Sequence, residues 1–268
     1  MILGTKTPAK TPRFSRVTFK GKVIFWSMQP PASSPIVAPH TSTMPILSLQ
    51  DVHKDYLSDG EAVHALNGVS LDVARGSFVA LVGRSGCGKS TLLNLAGAMD
   101  FPSSGQVLVD GVSTSTLKDA ALTRLRRDKV GFVFQSFQLL HTLTVFENVE
   151  LPLLLAGVPN ARAAAKERLA WVELADLGNR FPHQLSGGQM QRVGIARALI
   201  HSPSILLADE PTGNLDSTTG NVILDLLQRL TREHNTATMM ATHSLEAAAL
   251  ADAVVHMRDG KIQEILRR

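Results

Sequence analysis

Two kinds of hydrophobic pattern divide much of the chain into predicted strands. Residues 78–82, 130–134, 205–208 and 238–242 are short, nearly continuous apolar runs, which are typical of a parallel sheet covered on both faces. Residues 46–82 and 105–112 instead alternate apolar and polar positions between glycine turns, which predicts a small antiparallel sheet. The pattern therefore indicates an α/β fold, with a mostly parallel core beside a small antiparallel β subdomain.

Helical periodicity is concentrated in one insertion. Residues 136–190 predict a mostly helical subdomain, which includes an amphipathic stretch at 161–175. No run in the chain reaches the ~18 consecutive apolar residues expected of a membrane span. At 268 residues, the chain is long enough to bury a substantial core.

A glycine-rich octapeptide lies between the first apolar run and a leucine-rich helical segment. Its sequence, GRSGCGKS at residues 83–90, fits the phosphate-binding template G-x-x-x-x-G-K-[ST]. Glycines let the backbone curl so that successive N–H groups point at one anion. Lys89 would reach the β- and γ-phosphates, and Ser90 would place its hydroxyl on Mg²⁺. Cys87, the only cysteine, is interpreted as a small filler residue rather than a redox switch.

Polar residues follow three of the predicted parallel strands. They are Gln135, the pair Asp209 and Glu210, and His243, and ligands bind beyond the carboxyl ends of strands in open α/β sheets. Asp209 is expected to hold Mg²⁺ and Glu210 to polarise the attacking water. Gln135 would bind water or complete the metal shell, and His243 would hold Glu210 in position. Taken alone, each has an ordinary alternative, such as a helix cap or a surface histidine.

A second glycine-rich segment, LSGGQ at residues 185–189, opens a predicted helix. Free N–H groups at a helix N-terminus form a ready anion site. One nucleotide needs only one phosphate-binding loop, so two such elements in one chain raise the question of whose phosphate the second one binds.

The order and rough spacing of these motifs resemble those of the ATP-binding cassette (ABC) ATPases. The resemblance covers about residues 46–266 and rests on 83–90, Gln135, 185–189, 205–210, 214–216 and His243. Residues 207–217 look like the ATPase subunits of the macrolide-exporter and lipoprotein-releasing group. The resemblance implies a P-loop NTPase core, a helical signature subdomain at about 136–190, and ATP hydrolysis with Mg²⁺.

The resemblance also implies a set of site residues. Gln135, Glu210 and His243 would be catalytic, and Ser90, Gln135 and Asp209 would hold the metal. In this family two cassettes associate head to tail, so Ser186 and Gly188 would bind the partner's γ-phosphate and Asp216 would lie at the dimer seam. The nucleotide-binding set is Tyr56, Gly83, Arg84, Ser85, Gly86, Cys87, Gly88, Lys89, Ser90, Thr91, Ser186, Gly187, Gly188, Gln189 and Asp216. Tyr56 matches the aromatic residue that stacks on adenine; the alternative is packing within the small sheet.

The implied function is that of an ATPase subunit that dimerises around two ATP and drives a separate membrane permease, for lipoprotein release or an export-type substrate. Residues 138–149 would receive the coupling helix of that permease. The implied location is peripheral, on the cytoplasmic face of the inner (plasma) membrane. The alternative is a cell-division or mechanotransmission ATPase that acts on a membrane partner without transport. A soluble DNA-repair or translation cassette is disfavoured, because Gln135 and Leu185 are only 50 positions apart.

Charge separates the start of the chain from the rest. Residues 1–44 contain no acid and six of the 27 Lys and Arg residues, so residues 45–268 carry 21 of them against 23 Asp and Glu, a net charge of −2. This balance argues against nucleic acid as a partner of the cassette. We expect residues 45–268 to form the ATPase domain and residues 1–44 a disordered basic extension. That extension is either a transit peptide or an over-extended start, with Met44 or Met28 as the initiator.

Overall fold

The structure, a computed structural model, describes residues 14–19, 22–27, 44–58 and 61–268. The chain divides into two compact units, residues 1–42 and 43–268. In the first unit, Phe14–Phe19 (β1) pairs antiparallel with Lys22–Ser27 (β2). Apart from these two strands, the predicted disordered extension lies outside the described residues.

A six-stranded sheet forms the centre of the second unit. The predicted parallel strands are confirmed, since this sheet comprises Phe78–Val82 (β5), Val130–Val133 (β8), Ile205–Asp209 (β9), Ala237–Thr242 (β10), Ala253–Arg258 (β11) and Lys261–Arg267 (β12). Five strands run parallel in the order β11, β5, β10, β9, β8, and β12 closes one edge antiparallel to β11.

The antiparallel sheet is also present, but it is shorter than its predicted extent. It contains Leu47–Ser58 (β3), Glu61–Val73 (β4), Ser104–Val109 (β6) and Val112–Ser113 (β7), in the order β4, β3, β6, β7. The prediction of antiparallel structure up to residue 82 was wrong, because β4 ends at Val73 and β5 pairs parallel with β10 and β11. All five β5 residues are buried, as expected of a strand covered on both faces.

Two hydrophobic clusters cover opposite faces of the parallel sheet. Along β5, Phe78, Ala80 and Val82 belong to one cluster, and Val79 and Leu81 belong to the other. This alternation follows from the two-residue repeat of a strand. The helices around the sheet are Lys89–Ala96 (α1), Asp119–Lys129 (α2), Val145–Leu155 (α3), Ala161–Trp171 (α4), Gly187–Ala198 (α5), Ser217–Glu233 (α6) and Leu245–Ala248 (α7).

The segment 136–190 contains α3, α4 and the start of α5. Helix α3 begins with a capping box, in which Thr144 Oγ1 accepts from the Glu147 amide and Glu147 accepts from the Thr144 amide. Two short 3₁₀ helices, Ala175–Leu177 and Pro182–Gln184, lead to α5. Within the described part of the chain, no helix is both long enough and apolar enough to cross a membrane.

Candidate functional site

The predicted phosphate loop joins β5 to α1 and is closely packed from behind. A Cβ on Gly83 would lie 2.4 Å from the Met257 carbonyl oxygen, and one on Gly88 would lie 2.6 Å from that of Ala65. Gly88 has φ of 102° and Gly86 has φ of 77°, where side chains are strained. Because a Cβ at Gly83 or at Gly88 would collide with a backbone oxygen, the loop requires glycine at both positions. Its front remains open, since a Cβ on Gly86 would meet nothing within 4 Å.

Lys89 turns its ammonium group into the curl of the loop. Its Nζ donates to the carbonyl oxygens of Gly83, at 2.8 Å, and Arg84, at 3.1 Å. The side chain is buried, 6% exposed, and forms no ion pair with a carboxylate of the described residues. Its third partner is the Cys87 sulfur at 4.0 Å. A buried ammonium whose partners are all uncharged is suited to receive an anion.

Asp209 ends β9 beside the phosphate loop. Burial raises the pKa of its carboxyl group and nearby Glu210 adds to the rise, whereas a hydrogen bond from Ser90 and the charge of Lys89 lower it. A carboxylate whose charge is disfavoured by burial is stabilised by a cation, so Asp209 and the Ser90 hydroxyl fit Mg²⁺. No group of three or more His, Cys, Asp or Glu side chains suited to a metal occurs among the described residues. The remaining ligands would therefore be neutral side chains such as Gln135, phosphate oxygens and water.

Glu210 lies immediately after β9 in a left-handed conformation, with φ of 45°. Its amide donates to the Ala241 carbonyl and its own carbonyl accepts from Gly213. Its Oε1 lies 3.5 Å from Nδ1 of His243, which follows β10. A non-glycine residue at positive φ is strained, and such strain is concentrated at functional sites. Glu210 and His243 line one pocket of about 250 Å³, together with Asp216.

Gln135 follows β8 and contacts the loop that comes after Glu210. Its Nε2 donates to Asn214 Oδ1 at 3.3 Å, and Asn214 Nδ2 donates back to the Gln135 carbonyl at 3.0 Å. A Cβ on Gly213 would lie 2.7 Å from Gln135 Nε2. The Gln135 side chain is therefore in contact with two residues of the loop at 213–214.

Tyr56 is on β3 and is partly exposed rather than packed in the core of the small sheet. Its hydroxyl donates to Asp100 Oδ2 at 2.8 Å, and Lys54 Nζ lies 4.8 Å from the ring centroid. Partial burial acts to raise the pKa of Asp100, but hydrogen bonds from Lys54 and Tyr56 lower it below its usual value. Burial and the neighbouring Asp100 raise the pKa of the Tyr56 hydroxyl. The ring is thus held by Asp100 and Lys54.

The second glycine-rich segment, residues 185–189, has a different construction. Ser186 Oγ accepts from the Gln189 amide at 3.3 Å, and the Ser186 amide donates to Gln189 Oε1 at 2.9 Å. This capping box begins α5 at Gly187. A Cβ on Gly188 would lie 2.4 Å from Thr219 Cγ2, so Gly188 lets α5 and α6 approach closely.

The structure brings the predicted residues together in separate groups. Residues 83–87 line one pocket of about 440 Å³ with 257–259, whereas Ser186, Gly188 and Gln189 line another of about 470 Å³ with Thr218 and Thr219. The two pockets share no residue. Asp216 caps α6, where its carboxylate accepts from the Thr219 amide at 3.0 Å.

Sequence reasoning did not identify several residues that hold this site. Asp100 orients Tyr56, and Arg197 and Gln191 donate from α5 to backbone carbonyls of the segment after β8. Asn214 was part of a motif but had no assigned role. The sequence carries no signal for these contacts, because each joins positions 44 to 79 residues apart through hydrogen bonds that leave no periodic pattern.

Comparison with known families gives one consistent result. A sequence profile for the family described as ABC transporter matches residues 66–213. The chain is 44% identical over 224 residues to the ABC transporter ATP-binding protein MJ0796 of Methanocaldococcus jannaschii, which covers 81% of this chain and 95% of that protein. It is 46% identical over 223 residues to the lipoprotein-releasing system ATP-binding protein LolD of Bordetella pertussis, and the match covers 82% of this chain and 96% of that protein.

Similarity extends to a longer relative and to solved structures. The macrolide export ATP-binding/permease protein MacB of Brucella melitensis is 46% identical over 220 residues, which are 81% of this chain but 34% of that protein. A solved dimeric structure of the cassette MJ0796, in a post-hydrolysis state bound to ADP and Pi, matches with a TM-score of 0.76 and 42% identity, covering 82% of this chain and 98% of that one.

Proposed function

This chain belongs to the ABC transporter family and is an ATP-binding ATPase, and from that premise we propose that it is the energising subunit of a membrane transporter. Two copies close head to tail around two ATP and drive a separately encoded permease for lipoprotein release or an export-type substrate. The ATPase domain is residues 45–268, which act at the cytoplasmic face of the inner membrane.

One observation carries the dimer proposal. The chain has two glycine-rich helix starts, and they line two pockets with no residue in common. The loop at 83–90 holds Lys89 and adjoins Asp209, whereas the segment at 185–189 offers only a serine, backbone N–H groups and a glutamine. Ser186 and Gly188 thus complete the site of a second copy. The dimeric structure of the similar cassette MJ0796 supports this arrangement.

Each residue beside the phosphate loop has a distinct proposed role. Lys89 binds the β- and γ-phosphate oxygens, exchanging its contacts with the Gly83 and Arg84 carbonyls for charged ones. Ser90 and Asp209 hold Mg²⁺, and Gln135 completes its shell. When bound, the metal neutralises charge on the β- and γ-phosphate oxygens. Tyr56, fixed by Asp100, stacks on the adenine.

Glu210 is the proposed general base. One of its carboxylate oxygens accepts the proton of the attacking water, and His243 Nδ1, 3.5 Å from Oε1, keeps the carboxylate in place. The strained left-handed backbone of Glu210 supports this role, because it directs the side chain differently from a residue that continues β9.

The proposed permease contact lies around α3. Val145 and Val149 of α3 are fully buried, but Leu154 and Leu155 at its C-terminal end are 54% and 81% exposed. Leu140, in the segment 138–149, is also exposed. Large exposed apolar side chains mark interaction surfaces when they are grouped.

Mixed single-cysteine chains test the head-to-tail dimer. In a Cys87→Ser background, one preparation carries Ser85→Cys and another carries Ser186→Cys. After mixing with a non-hydrolysable ATP analogue and a short bismaleimide, we expect a covalent dimer on a denaturing gel. A crosslink in this mixture joins two chains by construction.

The controls are each preparation alone, the mixture without nucleotide, and the mixture with Lys89→Ala in the Ser85→Cys chain. All three should give little covalent dimer. Equal crosslinking with and without nucleotide, or none in the mixture, would contradict the head-to-tail arrangement.

A further inference from the structure

The segment after β8 contains two consecutive strained residues. Phe137 has φ of 60° and Gln138 has φ of 54°, and neither is glycine. The left-handed region is unfavourable for residues with a Cβ, and two in succession are less favourable still. The Gln138 amide bonds the Ser136 carbonyl at 2.6 Å, which tightens the turn. Something outside the segment must stabilise this conformation.

Arg197, in the last turn of α5, supplies that contact. Its Nη2 donates to the Phe137 carbonyl at 3.0 Å and its Nη1 to the Gln138 carbonyl at 2.5 Å. Burial lowers the pKa of Arg197, and no carboxylate of the described residues offsets that burial. Its guanidinium therefore relies on these two carbonyls. A planar fork matches two adjacent oxygens, which the single ammonium of lysine does not.

Helix α5 also contacts the segment on the other side of Gln135. Gln191 Nε2 donates to the Phe134 carbonyl at 3.3 Å. The Phe137 ring lies close to the start of the same helix, with Cζ 3.8 Å from where a Cβ on Gly187 would stand. The helix that begins with residues 185–189 thus holds the backbone both before and after Gln135.

We infer that Arg197 is a positioning residue for ATP hydrolysis. By holding the Phe137 and Gln138 carbonyls in the left-handed conformation, it fixes the backbone that carries Gln135 and so the place of the Gln135 amide. Without the clamp, residues 137–138 relax to negative φ and Gln135, two residues away, moves with them. The inference rests on the proposed role of Gln135 in completing the Mg²⁺ shell during hydrolysis.

Arg197→Lys in the full chain is the first test. We expect kcat to fall by about tenfold, since small misplacements of reacting groups are costly, while KM for ATP stays within about twofold because nucleotide contacts remain. Arg168→Lys is the matched control, because Arg168 is another buried arginine that donates to a backbone carbonyl, that of Leu199, and to Ser202 Oγ. Its kcat should be that of the unchanged protein. Melting temperatures establish that each variant is folded in the assay.

A glycine rescue separates positioning from simple support of the fold. Glycine adopts the left-handed conformation without strain, so adding Gln138→Gly to Arg197→Lys should restore kcat to within about threefold of the unchanged protein. Gln138→Gly alone measures the separate effect of losing the Gln138 side chain. Gln138→Val, which keeps Arg197 but disfavours positive φ, should lower kcat in the same way.

Three outcomes would overturn the inference: unchanged kcat in Arg197→Lys, no recovery on adding Gln138→Gly, or unchanged kcat in Gln138→Val. The kcat of Gln138→Val does not depend on whether Arg197→Lys folds. Gln135→Ala distinguishes the two proposals. Normal kcat in Gln135→Ala would contradict its catalytic role, and a glycine-rescued loss in Arg197→Lys would then still show that the conformation of residues 137–138 controls hydrolysis.

Discussion

The phosphate loop at 83–90 and the signature segment at 185–189 both begin a helix with glycines, yet they are built differently. Gly83 and Gly88 approach backbone carbonyls, and the loop carries a buried ammonium and adjoins a buried carboxylate. The signature segment has no charged residue, caps itself through Ser186, and packs its glycines against side chains. The first combines close-packed glycines with charged groups, as proposed for a phosphate site, whereas the second offers only neutral donors, as proposed for contact with the ATP of a second copy.

Glu210→Gln should give the largest effect, because it removes the proposed general base. Hydrolysis should fall by ~10²–10⁴, since the amide accepts no proton. Binding of a fluorescent ATP analogue should persist, because the phosphate loop is untouched. Lys89→Ala should instead weaken binding by deleting the charge on the phosphate oxygens. Near-normal turnover of Glu210→Gln would rule out Glu210 as the base.

Alanine at Gly83 and at Gly188 compares the two segments directly. At Gly83 the added Cβ would meet the Met257 backbone oxygen at 2.4 Å, so the loop must shift, at a cost of about 1–3 kcal/mol. At Gly188 the added Cβ would lie 2.4 Å from Thr219 Cγ2, and the Thr219 side chain can rotate away. Thermal unfolding should therefore show a larger loss of melting temperature for Gly83→Ala. Equal losses would contradict the distinction.

Asp209→Asn should raise the melting temperature at pH 7 without nucleotide, by about 2–4 °C, while abolishing hydrolysis. Burial raises the pKa of Asp209 above its usual 3.8. The stability that Asp209 contributes is therefore fully present below its usual pKa of 3.8 and is lost as pH rises through the raised pKa. The advantage of the asparagine variant should shrink as pH approaches 4. An advantage that is constant from pH 7 to pH 4 would contradict this cause.

Asp216→Ala should give the smallest effect, a loss of about 1–3 °C in melting temperature at pH 7. The hydrogen bond from Thr219 lowers the pKa of Asp216, so its contribution is present above its usual 3.8 and is lost as pH falls through the lowered pKa. Asp216→Asn, which keeps a capping oxygen but not the charge, is the matched control and should lose less than Asp216→Ala. A difference between Asp216→Ala and the unchanged protein that does not shrink as pH falls below 3.8 would contradict the role of the charged cap.

The sequence predicted the local structure of both segments. The apolar run before Gly83 and the glycines after it indicated a strand, a turn and a helix, and β5 and α1 follow that order. The polar residues after the apolar runs indicated the edge of the sheet where Asp209, Glu210 and His243 lie. These predictions succeeded because they depend on residues close together in the chain.

Tertiary structure alone decided how distant segments fit together. The sequence patterns assigned residues 78–82 to both sheets, and pairing with β10 and β11, which buries both faces, places them in the parallel one. Three sets of hydrogen bonds join positions far apart in the chain. They link Asp100 to Tyr56, Asn214 to Gln135, and Arg197 to the left-handed pair Phe137 and Gln138. A hydrogen bond between such positions constrains only one pair of atoms, so it leaves no repeat in the sequence, whereas a strand or a glycine turn constrains every residue along it.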